Sequence, residues 1–428
     1  MKTGSRHRWV VVIIFFLFMF LHQMDKLLIG PLVPDIKRTF AISDTQMGAI
    51  ATGALLVQAI MFPVWGYLYD RYARPKLLAL ASFIWGATTW LAAIAPSYGT
   101  FLAARASTGI DDSSYPGLYS LLSDYFEPRM RGKVYGLLQV SQPLGYLIGM
   151  AAATMLSGTL GWRTLFYITG SLGLALAIPI FFGVRDVPRG RAEPELAGLD
   201  EMGVYRFDKK VAVGLLRKPT LRLLFAQGFV GVFPWNVITL WIFDYLQAER
   251  FYDQQSILMT MAPAVLVLAL GYFVGGWLGD FFFKRTRRGR ILVSMVGVLI
   301  GAILLVITFN VPIENRTQFF VMLCLTALFI PFAAPNVVST VHDVSLPEVR
   351  STALSIQYLI ENFGAAAAPL IAGWISDLSS LKNAFIIICL SAWAIGAILL
   401  AFTAVLVPRD IEAVKAQLAE RAAEEQAA

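Results

Sequence analysis

Charge is scarce in this sequence: only 15% of its 428 residues are Asp, Glu, Lys or Arg, and 57% are hydrophobic. A soluble domain carries about 25% charged residues. A soluble fold of this size would lack the polar surface to cover itself. Cysteine is almost missing. Cys324 and Cys389 are the only two, and both lie in apolar stretches, which argues against a disulfide framework or a thiolate metal site. Three histidines are too few for a His-rich metal set, so a membrane enzyme is disfavoured. No GxxxxGK[ST] loop occurs, which disfavours an ATP-driven pump. Accordingly no metal, cofactor or nucleic-acid partner is expected. The net charge of +7 has to be read by its location along the chain instead.

What the sequence does have is long apolar runs, such as Trp9 to Leu21 and Ile291 to Phe309. They exceed the needs of a buried strand and match spans of roughly 20 residues across a hydrocarbon layer about 30 Å thick. The first run continues past Phe20 with no small-residue cleavage site, so it is expected to be a span and not a signal peptide. Apolar windows predict twelve spans, at 9–33, 45–69, 77–96, 99–124, 133–158, 163–183, 219–246, 255–280, 290–312, 317–342, 349–375 and 383–408. The expected fold is an all-α membrane protein.

Positive charge orients it. With the N-terminus inside, the inward segments hold 26 Lys and Arg and the outward loops 6. Both termini are therefore expected in the cytoplasm, in a bacterial or archaeal plasma membrane, with the lipid bilayer as solvent. The polar stretch 184–218 divides six spans (1–183) from six (219–408) and is expected to be a cytoplasmic linker. The Ala-rich, charged tail 409–428 is expected to form an exposed helix.

The halves share motifs. GYLYDRYARPK, with Gly66, Asp70, Arg71 and Arg74, follows the second span, and GWLGDFFFKR, with Gly276 and Asp280, follows the eighth, a shift of 210. Asp124, Pro128, Arg131 and Gly145 return as Asp343, Pro347, Arg350 and Gly364, each shifted by 219. Two halves built on one plan put a substrate site between them, open to each side in turn.

GYLYDRYARPK resembles the loop between spans two and three of the major facilitator superfamily, G-x-L-x-D-R-x-G-R-[RK], with Ala73 in place of a common glycine and Pro75 as a second departure. Within that superfamily, Asp25–Lys26 in span one, Arg105 in span four and Asp112 seven residues on resemble the Spinster-like branch and the organic anion symporters. That branch usually has Asp-Arg in span one, so Lys26 departs from it, and Lys grips carboxylate or phosphate differently from Arg. The resemblance implies a twelve-helix secondary transporter in two pseudo-symmetric halves, expected to work as a monomer on a small molecule. The expected substrate is a small organic anion and the expected coupling partner a proton; the alternative is a Spinster-like lipid or lysolipid transporter, and a non-transporting receptor is a further rival.

Ionisable groups inside spans cost roughly 2.5–3.5 kcal/mol each on insertion scales, so they face a cavity or a partner. In the first half these are His22, Asp25, Lys26, Arg105, Asp111 and Asp112. A rise of about 1.5 Å per residue puts Asp25 and Arg105 about 9–12 Å below the outer surface, and His22 and Asp112 about 17–20 Å, so the two helices can pair charges at two levels. One reading holds an anion on Arg105 or Lys26 and couples it to protonation of Asp112. The other is an ion pair that fixes span one against span four. The cluster has no charged copy at the 219 shift, which favours the first. Glu361, near the midplane of span eleven, is either a proton carrier or a hydrogen-bonded acid. Asp70 and Arg71 suit gating, since a carboxylate there can cap a helix N-terminus for about 0.3–1 kcal/mol. Pro234, Trp235 and Asn236 are expected to break span seven, and Gln142 with Pro143 span five, exposing backbone to a cavity. His342 is expected to face the surface.

Overall fold

The computed structural model of the chain describes residues 5–126, 128–187, 215–345 and 350–427. Among the described residues every regular element is helical, as it must be where no water is present to satisfy backbone N–H and C=O groups. Eleven of the helical stretches are long and apolar enough to cross a membrane. They begin with α1 (Ser5–Phe40), α2 (Asp44–Arg71) and α3 (Arg74–Ile94). The start of α2 is fixed by a capping box, in which Ser43 and Gln46 satisfy each other's free N–H groups.

Span four departs from expectation. Instead of one helix over 99–124 the chain forms α4 (Tyr98–Ser107), α5 (Gly109–Asp112) and α6 (Tyr115–Tyr125). Ser113 and Ser114 leave the helical ladder, with a turn bond from Ser114 N–H to the Asp111 carbonyl at 2.9 Å. Gly109 lets α5 touch α2: a Cβ there would lie 2.2 Å from the Ala54 carbonyl oxygen. The turn carries Asp111 and Asp112 inward, where both are buried.

After α7 (Pro128–Leu160) and α8 (Trp162–Gly183) come α9 (Pro219–Ala248), α10 (Gln254–Phe283) and α11 (Gly289–Asn310). Neither expected break occurs. The α7 helix runs through Gln142 and Pro143, and α9 runs through Pro234. A proline removes one N–H but leaves the neighbouring ladder in place, and the Asn236 side-chain amide donates to the Val232 carbonyl at 2.9 Å across this turn. Span ten is divided instead, into α12 (Arg316–Phe329), a 3₁₀ turn (Ile330–Phe332) and α13 (Ala333–Asp343), where Pro331 sits in the turn. The last two are α14 (Arg350–Leu378) and α15 (Leu381–Ala427). The tail thus continues the final span without interruption, and Ile411 and Val414 are buried, so its first turns are not wholly exposed. His342 is half-buried. Both cysteines are free.

The chain forms two compact units. Unit 1 comprises Met1–Val204, Thr239–Leu258 and Pro369–Asp377; unit 2 comprises Tyr205–Ile238, Met259–Ala368 and Leu378–Ala428. Residues 188–214, most of the expected linker, lie outside the described residues. In unit 1, α3 packs along α8 and α1 along α7, around Phe15, Phe18, Trp85, Leu118 and Ile180. In unit 2, α11 packs against α12 and α15, with the Phe309 and Phe385 rings stacked 4.8 Å apart. In lipid such contacts hold by close van der Waals packing, since the tails are as apolar as the side chains.

Candidate functional site

His22, Asp25 and Lys26 are spaced i, i+3 and i+4 on α1 and so share one face of the helix. The broken fourth span brings its charges to that face. His22 Nε2 lies 2.6 Å from Asp111 Oδ2 and 3.4 Å from Asp112 Oδ1, while the Lys26 ammonium lies 2.9 Å from Asp112 Oδ2. The other ring nitrogen, Nδ1, is bonded to the Tyr115 hydroxyl. In a neutral ring this sets the tautomer, with Nε2–H donating to Asp111 and Nδ1 accepting from Tyr115.

Asp25 accepts three neutral hydrogen bonds: Trp85 Nε1–H at 3.0 Å and the Thr89 hydroxyl at 3.1 Å from α3, and the Thr169 hydroxyl at 2.5 Å from α8. Its distance to Arg105 Nη1 is 3.9 Å. Arg105 is only 5% exposed, its guanidinium lies over the Phe166 ring at 5.2 Å, and Nε and Nη1 have no hydrogen-bond partner. All six ionisable groups singled out in the first half therefore lie in unit 1 around one centre, paired at two levels.

His22, Asp111 and Asp112 each present a ligand atom within 4.8 Å of one another. Those atoms are already engaged by each other, Tyr115 and Lys26, and the ammonium supplies the positive charge that the carboxylates need.

Unit 2 differs. Glu361 on α14 accepts from Gln357 Nε2 at 2.7 Å and lines a cavity of about 320 Å³ together with Trp235. Asn236 is bonded to its own helix, and Gln142 is half-buried on α7 in unit 1.

The charged residues around the repeated motifs form matched ties. Arg74, at the start of α3, bonds Asp124 at 2.5 Å, the end of the Asp186 side chain at 3.2 Å and the Val187 carbonyl at 2.7 Å. Arg290, at the start of α11, bonds Asp280 at 2.7 Å and also Asp343. Each unit thus ties the start of one helix to the end of the next divided span. Arg71 stacks on the Tyr67 ring at 4.3 Å, and Gly66 faces open space. The side chains of Asp70, Arg131 and Arg350 lie outside the described residues.

A second polar network in unit 1 went unread in the sequence. The Lys37 ammonium pairs with Asp44 and, at 2.8 Å, with Asp244. The Asp377 carboxylate accepts from the backbone N–H groups of Asp44 and Thr45 at 2.9 and 2.8 Å, capping α2. Asp244, an acid in the apolar run WIFDYL, was the available signal.

The Major Facilitator Superfamily model matches residues 15–316 and 253–426. Protein spinster of Drosophila melanogaster is 27% identical over 392 residues, 88% of this chain; the chain spans 63% of that relative's length. A probable sulfoacetate transporter of Cupriavidus necator is 23% identical over 415 residues, covering 90% of this chain and 95% of that one. A crystal structure of a bacterial homologue of the human lysosomal transporter Spinster superposes with a TM-score of 0.79 at 20% identity, over 96% of this chain and 98% of that one, and shares the fold. With the family model spread over both sets of spans, and its relatives transporters and not enzymes, this multi-pass membrane protein belongs to the major facilitator superfamily.

Proposed function

We propose that the chain carries a small organic anion across the membrane by alternating access, with Arg105 holding the anion. The observation that carries this reading is the state of Arg105: buried, with Nε and Nη1 lacking a hydrogen-bond acceptor and only a long ion pair, 3.9 Å, to Asp25. Burying an ion whose donors lack acceptors costs on the order of several kcal/mol. Asp25 is held back by Trp85, Thr89 and Thr169, so the guanidinium keeps donors for a planar or tripodal acceptor such as carboxylate or sulfonate. The relative named for sulfoacetate supports the same class.

The coupling ion in this reading is a proton on Asp112. Its partner Lys26 and the nearby Arg105 favour the carboxylate while they are free, and an anion that neutralises either base favours the acid. Proton uptake thereby follows substrate binding. Working as a monomer with both termini in the cytoplasm, the protein would have the Lys37–Asp44–Asp244 network at its outer face, and those ties must loosen when that face opens.

The test is flux of labelled sulfoacetate into proteoliposomes of the purified protein, with and without a pH gradient. Saturable uptake that competes with other organic acids supports the reading. Movement of a labelled lysolipid but of no organic anion transfers the function to the lipid alternative. Binding without flux makes the protein a receptor.

A further inference from the structure

We propose that the cavity in unit 2 is a separate binding site for an organic cation: an amine or quaternary ammonium group carrying apolar substituents. Its volume, about 320 Å³, lies at the lower end of the range of about 300–1,000 Å³ for small-molecule sites. Its chemistry is one-sided. Glu361 is the one carboxylate among the lining residues, and no lysine, arginine or histidine lines the space. Among the described residues no base forms an ion pair with Glu361. Gln357 spends its amide donor on that carboxylate at 2.7 Å, which leaves its own carbonyl oxygen buried with no partner. Gln357 is 2% exposed. The cavity therefore pairs a carboxylate and an unmatched carbonyl oxygen with no cationic side chain, the reverse of Arg105 in unit 1.

The walls fit the same class of ligand. Trp235, Tyr272, Tyr358 and Trp393 all line the cavity, and aromatic faces attract a cation through the ring quadrupole while tolerating the alkyl groups around it. Trp235 is 43% and Tyr358 49% exposed, and both line the cavity. A small inorganic cation would need several oxygen ligands close together, and these walls are mostly carbon. An organic anion would meet Glu361 with no base to offset it. The remaining class is an organic monocation with its charge beside Glu361 and its body against the rings.

The inference does not rest on the anion reading of Arg105, and its test keeps the two apart. Binding of benzyltrimethylammonium to the purified full-length protein is measured by titration calorimetry in detergent, with benzenesulfonate as the anionic probe of similar size. Saturable binding of the cation is expected, weakened about tenfold, or 1.4 kcal/mol, by Glu361→Gln and about threefold by Trp393→Leu, and kept in Arg105→Ala. Glu361→Asp should restore part of the loss, and a melting temperature unchanged in Glu361→Gln shows that the fold is intact. Absence of saturable cation binding overturns the proposal. Cation binding untouched by Glu361→Gln overturns it as well, since the cation then sits elsewhere. Benzenesulfonate binding that is lost in Glu361→Gln also overturns it.

Discussion

The two units treat buried charge in opposite ways. Unit 1 collects acid and base side chains on α1, α4 and α5 until nearly every group has a partner, and leaves one guanidinium short of acceptors. Unit 2 keeps a single acid against an amide and surrounds it with rings. Yet at one end the units are alike, for Arg74–Asp124 and Arg290–Asp343 repeat the same tie. The ties at the helix ends repeat between the units, whereas the polar chemistry in the middle of each unit is its own.

The sharpest way to break this comparison is Arg105→Ala. If unit 1 is where the anion is held, uptake of sulfoacetate falls by about tenfold to a hundredfold, the loss of one or two charge-assisted hydrogen bonds, while the protein still inserts and melts normally. Full flux in this variant would make Arg105 a structural partner of Asp25. Next in size is Asp112→Asn. A proton carrier must lose and regain its proton in each cycle, so accumulation driven by a pH gradient should vanish while exchange of substrate for substrate continues. Counterflow and pH-jump uptake read the two separately, and equal loss of both would remove Asp112 from coupling.

Asp377→Asn should have a moderate effect. Taking the charge from the N-terminus of α2 costs about 0.3–1 kcal/mol, which shifts a two-state equilibrium about two- to fivefold. Labelling of a cysteine introduced beside Lys37 should rise by that factor with little change in substrate affinity. Smallest of all should be Glu361→Gln on anion accumulation, because no base beside Glu361 links it to an anion. A loss as large as that of Asp112→Asn would show that the two units share the coupling task after all.

Much of this was legible in the sequence for simple reasons. Apolar length alone predicts twelve spans, of which eleven recur among the described residues as helical stretches long and apolar enough to cross a membrane, and the unit 1 cluster follows from the rarity of charge within spans. The break in span four did not emerge because a hydropathy window averages over Thr108 to Ser114, although Gly109, Ser113, Ser114 and Pro116 are all turn formers. The choice of Asp111 over Asp112 as the closer partner of His22 depends on that turn, since adjacent helical residues point about 100° apart. Lys37 and Asp244 stand 207 positions apart, and no local pattern joins them. Pro234 misled in the other direction: a proline in a long helix removes one bond, and the remaining turns carried α9 past it.

The last helix has a mechanical consequence. Because α15 passes through Pro408 and continues to Ala427 as one element of 47 residues, its final stretch beyond the proline extends the span by about 28 Å. A few degrees of tilt in the span become a displacement of ångströms at Ala427. A spectroscopic probe near Lys415 would therefore register a swing of the last span without altering the residues proposed to bind or couple.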